Sequence, residues 1–154
     1  MVDVSMTKEL PGMTLKSIGF VRNEIKQPSM RHFEGVISEI VVDSSLTEAL
    51  DNLDEFSHLI VLYWMHQASG QLPLKVHPRG RSELPLVGLF ATRSPNRPNP
   101  VGKATVRLVE RRGNILKVEG LDAINGTPVI DIKPYLPGYD SAANARVAQW
   151  ITNQ

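Results

Sequence analysis

The stretch at residues 91–100 constrains the fold of this chain more than any other segment, because three of its ten residues are prolines. Proline locks φ and lacks a backbone N–H, so the stretch cannot form a helix or a central strand and is predicted to be a stiff, extended loop. The flanking residues 86–90 and 101–106 are rich in apolar residues and are predicted to be strands. A rigid loop between two strands is a common place for functional side chains. A plain connection with solvated arginines is the alternative.

The composition indicates one globular domain. The chain has 154 residues, of which 42% are hydrophobic, and this is enough for a single core. It contains no cysteine, which excludes disulfides, thiolate catalysis and cysteine-ligated metal sites. No apolar run approaches the roughly 18 residues of a membrane span. The first residues lack the basic start and apolar core of a signal peptide, so we expect a cytoplasmic protein without membrane contact.

The spacing of the histidines bears on metal binding, and the distribution of charge bears on phosphate-bearing partners. The four histidines have no metal-binding spacing, and no metal site is expected. The net charge is only +1, but residues 75–103 carry six basic residues and one acidic residue. This local positive charge favours a phosphate-bearing partner such as RNA or a nucleotide, with a solvated arginine-rich surface as the alternative. The candidates to face RNA are Lys75, Arg79 and Arg81.

Apolar and β-forming segments bounded by turn residues predict about seven strands. They cover residues 14–21, 35–42, 56–67, 86–90, 101–112, 115–121 and 127–135. Ser45 and Glu48 have the spacing of a capping box, which predicts a short helix there. The Asn125-Gly126 pair is typical of a type I′ turn, which would reverse the chain between the last two strands.

These elements predict a mainly β fold, in which a single antiparallel sheet closes into a barrel. One short helix lies between early strands, and alanine-rich residues 140–150 are expected to form a C-terminal helix. We expect a flexible leader at residues 1–13, the barrel domain at 14–137 and a helical tail at 138–154. The chain lacks the glycine motifs of the P-loop and of doubly wound nucleotide folds.

Four sequence blocks in a fixed order resemble one known family. They are IGFVR at residues 18–22, FSHL to HQ at 56–67, GLFATRS with RPNPVG at 88–102, and NGTPVIDIKPY at 125–135. Together these blocks look like the TsaA-like (YaeB/TrmO) family. The loop at residues 22–34 departs from the pattern, because it does not reproduce the Pro-Arg-Gln segment that many members place there.

The resemblance implies a β-barrel methyltransferase that uses S-adenosylmethionine and acts as a homodimer. It implies methylation of N6 of threonylcarbamoyladenosine at position 37 of certain tRNAs. By resemblance, the cofactor-binding positions are His66, Gln67, Arg93, Asn125, Gly126 and Thr127. Ser94, Arg97 and Asn99 belong to the signature loop.

The chemistry of such a reaction suggests roles for some of these residues. Arg93 could bind the carboxylate of the cofactor through two parallel hydrogen bonds. A carbamoylated N6 nitrogen must lose its proton before or during attack, so a base is needed. Asp122 and Asp131 are the candidates, and turn or barrel-rim hydrogen bonds are their alternative role.

Three other functions remain open from the sequence alone. The first is a barrel that binds S-adenosylmethionine or a nucleotide without methyl transfer. The second is a methyltransferase for another nucleoside-like or small substrate. The third is a dimer with a structural role in a larger assembly.

Overall fold

A computed structural model describes residues 11–28 and 33–152, so most of the expected leader at residues 1–13 lies outside the described residues. The strands are β1 (Gly19–Arg22), β2 (Ile37–Val42), β3 (His58–Trp64), β4 (Lys75–Val76), β5 (Val87–Gly88), β6 (Val101–Arg112), β7 (Ile115–Glu119) and β8 (Pro128–Pro134). Short 3₁₀ helices span Ser44–Leu50, Leu53–Glu55, Pro78–Gly80 and Leu89–Ala91. Two short α-helices follow, α1 (Pro137–Asp140) and α2 (Gln149–Thr152).

Six strands form a closed barrel in the order β1-β2-β7-β6-β3-β8, and every pair in it is antiparallel. The predicted fold class is therefore confirmed. Strands β4 and β5 form a separate two-stranded sheet on the connection between β3 and β6. In the described ranges, no helix has the length and apolar character needed to cross a membrane.

The barrel core follows from the two-residue period of the strands. Leu59, Val61 and Tyr63 alternate along β3 and are at most 4% exposed. Tyr63 lies opposite Gly102 of β6. A Cβ atom added to Gly102 would lie 2.3 Å from the Tyr63 ring. Gly102 is therefore the residue that leaves room for this aromatic ring at one end of the barrel.

The predicted chain reversal at Asn125-Gly126 is wrong in its pairing and in its turn type. β8 pairs with β1 and β3, whereas β7 pairs with β2 and β6, so the turn does not close a hairpin. Only Gly126 of the pair has a positive φ, of 80°. A type I′ turn needs positive φ at both residues. The segment that contains this turn instead crosses from β7 past the end of β1 into β8, which pairs with β1.

The predicted cap of the first helix is also wrong. The segment Ser44–Leu50 is a 3₁₀ helix, and its N-cap is Asp43, whose carboxylate accepts a hydrogen bond from the Ser45 N–H at 2.9 Å. Asp43 and Ser45 are two residues apart, which suits an aspartate side chain that folds back on its own backbone.

Two further segments differ from the prediction. The strand expected at residues 86–90 ends at Gly88, where a 3₁₀ helix begins. The C-terminal helix expected at residues 140–150 is replaced by α1 and α2, with residues 141–148 between them. Asn144 in this segment has a φ of 60°, which no right-handed helix can contain.

Candidate functional site

The signature loop at residues 91–100 is held from within by Arg97. One guanidinium nitrogen of Arg97 donates to the carbonyl oxygens of Thr92 and Ser94, at 3.3 and 3.4 Å. The same guanidinium lies over the ring of Phe90, with 5.8 Å between Cζ and the ring centroid. The Thr92 hydroxyl donates to the Leu89 carbonyl at 2.7 Å. Arg97 therefore stabilises the shape of the loop, as the three prolines do.

The second half of the loop is tied to the end of β3. The Met65 N–H donates to the Pro100 carbonyl at 2.7 Å. The Asn96 side-chain oxygen accepts from both the N–H and the hydroxyl of Ser69, each at 3.0 Å. A cleft of about 270 Å³ lies between these two segments, and His66 lines it together with Trp64, Met65, Leu72, Asn96 and Arg97. Gln67 is exposed and is not among the lining residues of this cleft.

Arg93 lies in the first half of the loop and faces a second, larger cleft of about 840 Å³. Its guanidinium donates to the Lys103 carbonyl of β6 at 2.9 Å. The two clefts have no lining residue in common. Within one chain, the structure therefore does not bring His66 and Arg93 together in a single cleft.

Tyr63, Asp122 and Arg93 form an electrostatic cluster at the barrel end. Burial raises the pKa of Tyr63 to about 12, and the negative charge of Asp122 adds to this effect while Arg93 opposes it. Burial also raises the pKa of Asp122, although this side chain reaches solvent, and Arg93 acts in the opposite direction. A carboxyl group with a raised pKa beside a guanidinium group is a candidate acid or base.

Asp131, the other candidate base from the sequence, has a different environment from Asp122. One carboxylate oxygen is 2.8 Å from Nζ of Lys133, and the other accepts from the Ile132 N–H at 2.9 Å. The hydrogen bond to Asp131 raises the pKa of Lys133. Both oxygens of Asp131 are therefore engaged within β8, which fits the barrel-rim role.

The Asn125-Gly126-Thr127 turn is bound to the end of β1 through its backbone. The Asn125 N–H donates to the Ile25 carbonyl, and the Gly126 N–H donates to the Val21 carbonyl, each at 2.7 Å. Thr127 is buried, with 2% of its surface exposed. A ligand at this turn would therefore have to use side-chain or carbonyl groups, because these two N–H groups are occupied.

Asn23 connects this turn to the barrel. Its side-chain nitrogen donates to the hydroxyl of buried Ser38 at 3.0 Å and to the Ala123 carbonyl at 2.9 Å. Its backbone N–H donates to the Asn125 side-chain oxygen at 3.1 Å. Asn23 thereby fixes the segment that follows Asp122, from the loop that departs from the family pattern.

The three candidate RNA-facing residues are placed differently. Lys75 is exposed on β4, and Arg79 lines the 840 Å³ cleft. Arg81 forms an ion pair with Glu83 at 2.6 Å, which lowers the pKa of Glu83.

Of the signature-loop residues, Ser94 lines the same cleft as Arg79. Asn99 is exposed, and its carbonyl accepts a hydrogen bond from the Val101 N–H. In the described ranges, no three His, Asp or Glu side chains form a group that could hold a metal ion.

The comparisons with known proteins identify the family. The family model for the tRNA-methyltransferase O N-terminal domain matches residues 22–141 of this chain. The chain belongs to the TrmO family. An Archaeoglobus fulgidus relative, named as an S-adenosyl-L-methionine-binding protein, is 43% identical over 132 residues, which are 83% of this chain and 93% of the relative. The mouse tRNA (adenine(37)-N6)-methyltransferase is 43% identical over 101 residues, which are 64% of this chain and 23% of the mouse protein.

The fold comparison agrees with the sequence comparison. The TrmO crystal structure from Pseudomonas aeruginosa matches with a TM-score of 0.75 and 32% identity, covering 92% of this chain and 62% of that chain. This chain therefore spans less than two thirds of the solved TrmO chain. The predicted TsaA-like (YaeB/TrmO) resemblance is confirmed.

Two residues of this TrmO domain, Tyr63 and Asn23, were not predicted from the sequence as site residues. Tyr63 stands in an apolar run, where it is not distinguishable from a core residue. Its one sequence signal is a polar group near the end of a buried strand, followed three residues later by His66. Asn23 gives no signal, because its partners Ser38 and Ala123 come near it only when the barrel closes.

Proposed function

We propose that this protein is an S-adenosylmethionine-dependent methyltransferase that acts on N6 of threonylcarbamoyladenosine 37 in tRNA. Membership of the TrmO family supports this proposal, as does the similarity to the mouse tRNA (adenine(37)-N6)-methyltransferase. The structural observation that carries it is the end of the barrel where the signature loop ties Arg93 to the Lys103 carbonyl of β6, beside the pair of Tyr63 and Gly102 and within electrostatic range of Asp122.

The side chains around the loop fit the chemistry of the cofactor. S-adenosylmethionine has a carboxylate, an amine, a sulfonium and an adenosine, so its site needs an anion partner, apolar walls and amide groups. Arg93 would hold the carboxylate. The apolar and amide surfaces of Trp64, Met65 and Asn96 lie beside His66 in the other cleft, of about 270 Å³, which shares no lining residue with the cleft of Arg93. When bound, the cofactor supplies a methyl group activated by a positively charged sulfur.

The residues of the chain would manage the proton of the substrate. The carbamoyl group delocalises the lone pair of N6, so the N–H proton must be removed as the nitrogen reacts. Asp122 would accept this proton on its carboxylate, whose raised pKa makes it a better base than an ordinary aspartate. Arg93 opposes that rise, because its positive charge favours the carboxylate form of Asp122. Tyr63 stays protonated, with a pKa of about 12, and can donate a hydrogen bond.

A radiolabel transfer assay tests the proposal. Labelled methyl groups should pass from S-adenosylmethionine to tRNA that carries threonylcarbamoyladenosine, and not to the same tRNA without that modification. Transfer to both tRNAs would leave a tRNA methyltransferase with a different target. Cofactor binding without transfer to any nucleic acid would favour a binding barrel and contradict the proposal.

Arg93→Ala tests the cofactor assignment separately. The affinity for S-adenosylmethionine should fall by on the order of 2–4 kcal/mol, measured by calorimetry, if Arg93 binds a desolvated carboxylate. Arg22→Ala is the matched control, because Arg22 pairs with Glu39 on the exposed surface of β1 and β2. Equal affinity in the Arg93→Ala variant and the wild type would remove Arg93 from the cofactor site.

A further inference from the structure

The cleft of about 840 Å³ lies between three segments that are far apart in the sequence. Its walls come from residues 76–80, from residues 91–95 of the signature loop, and from Trp150 and Ile151 of α2. Trp150 lies beyond the residues that match the TrmO domain. The C-terminal helix therefore brings an aromatic side chain to the same cleft as Arg93.

The wall of this cleft carries positive charge without negative charge. Arg79 and Arg93 both line it, and no lining residue is an aspartate or a glutamate. Neither arginine forms an ion pair with a residue of the described ranges. An anionic group that enters the cleft would meet two guanidinium groups and no acidic side chain in the wall.

The turn that carries Arg79 is held in place by hydrogen bonds. Arg79 itself has a φ of 54°, and Gly80 follows it with a φ of 68°. The Gly80 N–H donates to the His77 carbonyl at 2.9 Å, and the His77 ring nitrogen Nδ1 lies 2.8 Å from the Leu84 carbonyl oxygen. A non-glycine residue at positive φ is uncommon and often marks a functional position.

Trp150 supplies the second kind of surface that a nucleotide needs. It is only partly exposed in the cleft wall, and Ile151 beside it adds apolar area. Aromatic side chains on which bases stack, combined with basic groups for the backbone, are how proteins bind unpaired nucleotides. An enzyme that modifies a base also needs that base out of its stack.

We propose that this cleft holds one unstacked nucleotide of the RNA substrate, with its base against Trp150 and its phosphate at Arg79, while Arg93 in the same wall is left to the carboxylate of the cofactor. The inference rests on the proposed function, because it takes RNA as the substrate. The cleft volume of about 840 Å³ falls within the range of roughly 300–1,000 Å³ typical of small-ligand sites.

Substitution of Trp150 in the full chain tests the stacking contact. The probe is a synthetic tRNA anticodon stem–loop with an adenosine immediately 3′ to the anticodon. Trp150→Ala should weaken binding of this RNA by about tenfold or more, whereas Trp150→Phe should keep most of the affinity. Tyr139→Ala is the matched control, because Tyr139 is 90% exposed on α1 and does not line the cleft.

Substitution of Arg79 tests the phosphate contact. Arg79→Asn removes the charge, and asparagine tolerates a positive φ better than most residues. The plot of the logarithm of RNA affinity against the logarithm of salt concentration has a negative slope, and the magnitude of this slope should decrease by about 0.7 in the variant. Arg112→Ala, which removes an exposed arginine that lies in β6 and pairs with Glu110, should leave the slope unchanged.

Measuring S-adenosylmethionine affinity in the same variants separates the two possible ligands. The proposal expects the Trp150→Ala and Arg79→Asn variants to bind the cofactor as the wild type does. Weakened cofactor binding with unchanged RNA binding would assign the cleft to the cofactor and overturn the proposal. Unchanged binding of both would also overturn it.

The methyl-transfer assay keeps this inference distinct from the proposed function. If the wild type transfers methyl groups to tRNA and Trp150→Ala has the same KM for tRNA, only the inference fails. If the wild type transfers none and does not bind the stem–loop, the proposed function fails as well. Circular dichroism at each measuring temperature verifies that the variants are folded, and Trp150→Phe provides the comparison should the alanine variant unfold.

Discussion

Asp122 and Asp131 carry the same side chain but differ in what surrounds the carboxylate. Asp131 has both oxygens engaged, by Lys133 and by the Ile132 N–H. Asp122 instead has a pKa raised by burial, next to Arg93 and Tyr63. Position in the sequence made the two residues equal candidates. Their environments make Asp122 the better candidate for a base, because a raised pKa favours proton uptake.

Asp122→Asn should abolish methyl transfer and at the same time increase stability at pH 7. The folded-state pKa of Asp122 lies above its ordinary value of 3.8, so burial of the ionised form costs stability at neutral pH. Asparagine removes that cost. The difference in melting temperature should shrink as the pH falls below that ordinary value, where both side chains are neutral.

Asp131→Asn is the matched control for this prediction. It should retain methyl transfer, since Asp131 is placed as a barrel-rim residue. Loss of transfer in Asp131→Asn with full activity in Asp122→Asn would reverse the two assignments.

Tyr63→Phe should remove a loss of stability that the wild type shows at alkaline pH. The folded-state pKa of about 12 exceeds the ordinary value of 10.0, so the stabilising effect is complete below pH 10 and is lost as the pH rises to 12. This loss amounts to about 2–3 kcal/mol. Urea unfolding of both proteins at pH 8 and pH 11.5 measures it, and an equal loss in both would contradict the buried phenol.

Among the elements, the signature loop and β6 depend on contacts that local sequence does not reveal. The loop has its shape from prolines but also from Arg97, which joins Phe90, Thr92 and Ser94. The adjoining strand β6 begins with Val101 and Gly102, where glycine would weaken a strand by propensity alone. Gly102 leaves room for the Tyr63 ring. This glycine is therefore explained by the packing of Tyr63 and not by the strand propensity of the sequence.

Gly102→Ala should destabilise the protein by about 1–3 kcal/mol, because the added methyl group would overlap the Tyr63 ring. Gly88→Ala is the matched control, since nothing lies within 4 Å of a Cβ atom there. Denaturant unfolding measures both variants. Equal stability of the two variants would mean that the Tyr63 ring moves aside at little cost. Methyl transfer by Gly102→Ala would then show whether the position of the Tyr63 ring affects activity.

At the scale of the whole molecule, closure of the barrel decides which residues meet. β1 pairs with both β2 and β8, which joins the start of the domain to its end. This closure places Asn23 beside Ala123 and Asn125, a hundred residues away in sequence. The separate sheet of β4 and β5 leaves large apolar side chains exposed around it, including Leu74 at 79% and Phe90 at 76%. Exposed apolar side chains of this size are typical of interaction surfaces.

The homodimer predicted from the family resemblance can be tested on this surface. Sedimentation equilibrium should give twice the mass of one chain. If the exposed apolar surface around Leu74 is the contact between the two chains, Leu74→Asp should shift the population towards monomer, because it places a charge there. Val109→Asp, at an exposed position on β6, is the control. A wild-type protein that sediments as a monomer at all concentrations would refute the dimer prediction.

The sequence by itself determined the mainly β class, the extent of β6 and the stiffness of the loop at residues 91–100. These features depend on local rules, namely the two-residue period of strands and the fixed φ of proline, which act between neighbours. Family membership also followed from the sequence, because it lies in the order of four blocks.

Only the tertiary structure decided which strands pair, which aspartate has both carboxylate oxygens engaged and which residues share a cleft. Strand pairing, burial and electrostatic fields depend on residues that are distant in the chain, and no local pattern encodes them. For this reason the structure separated His66 from Arg93, placed Tyr63 within electrostatic range of Asp122, and brought Trp150 to the cleft beside the signature loop.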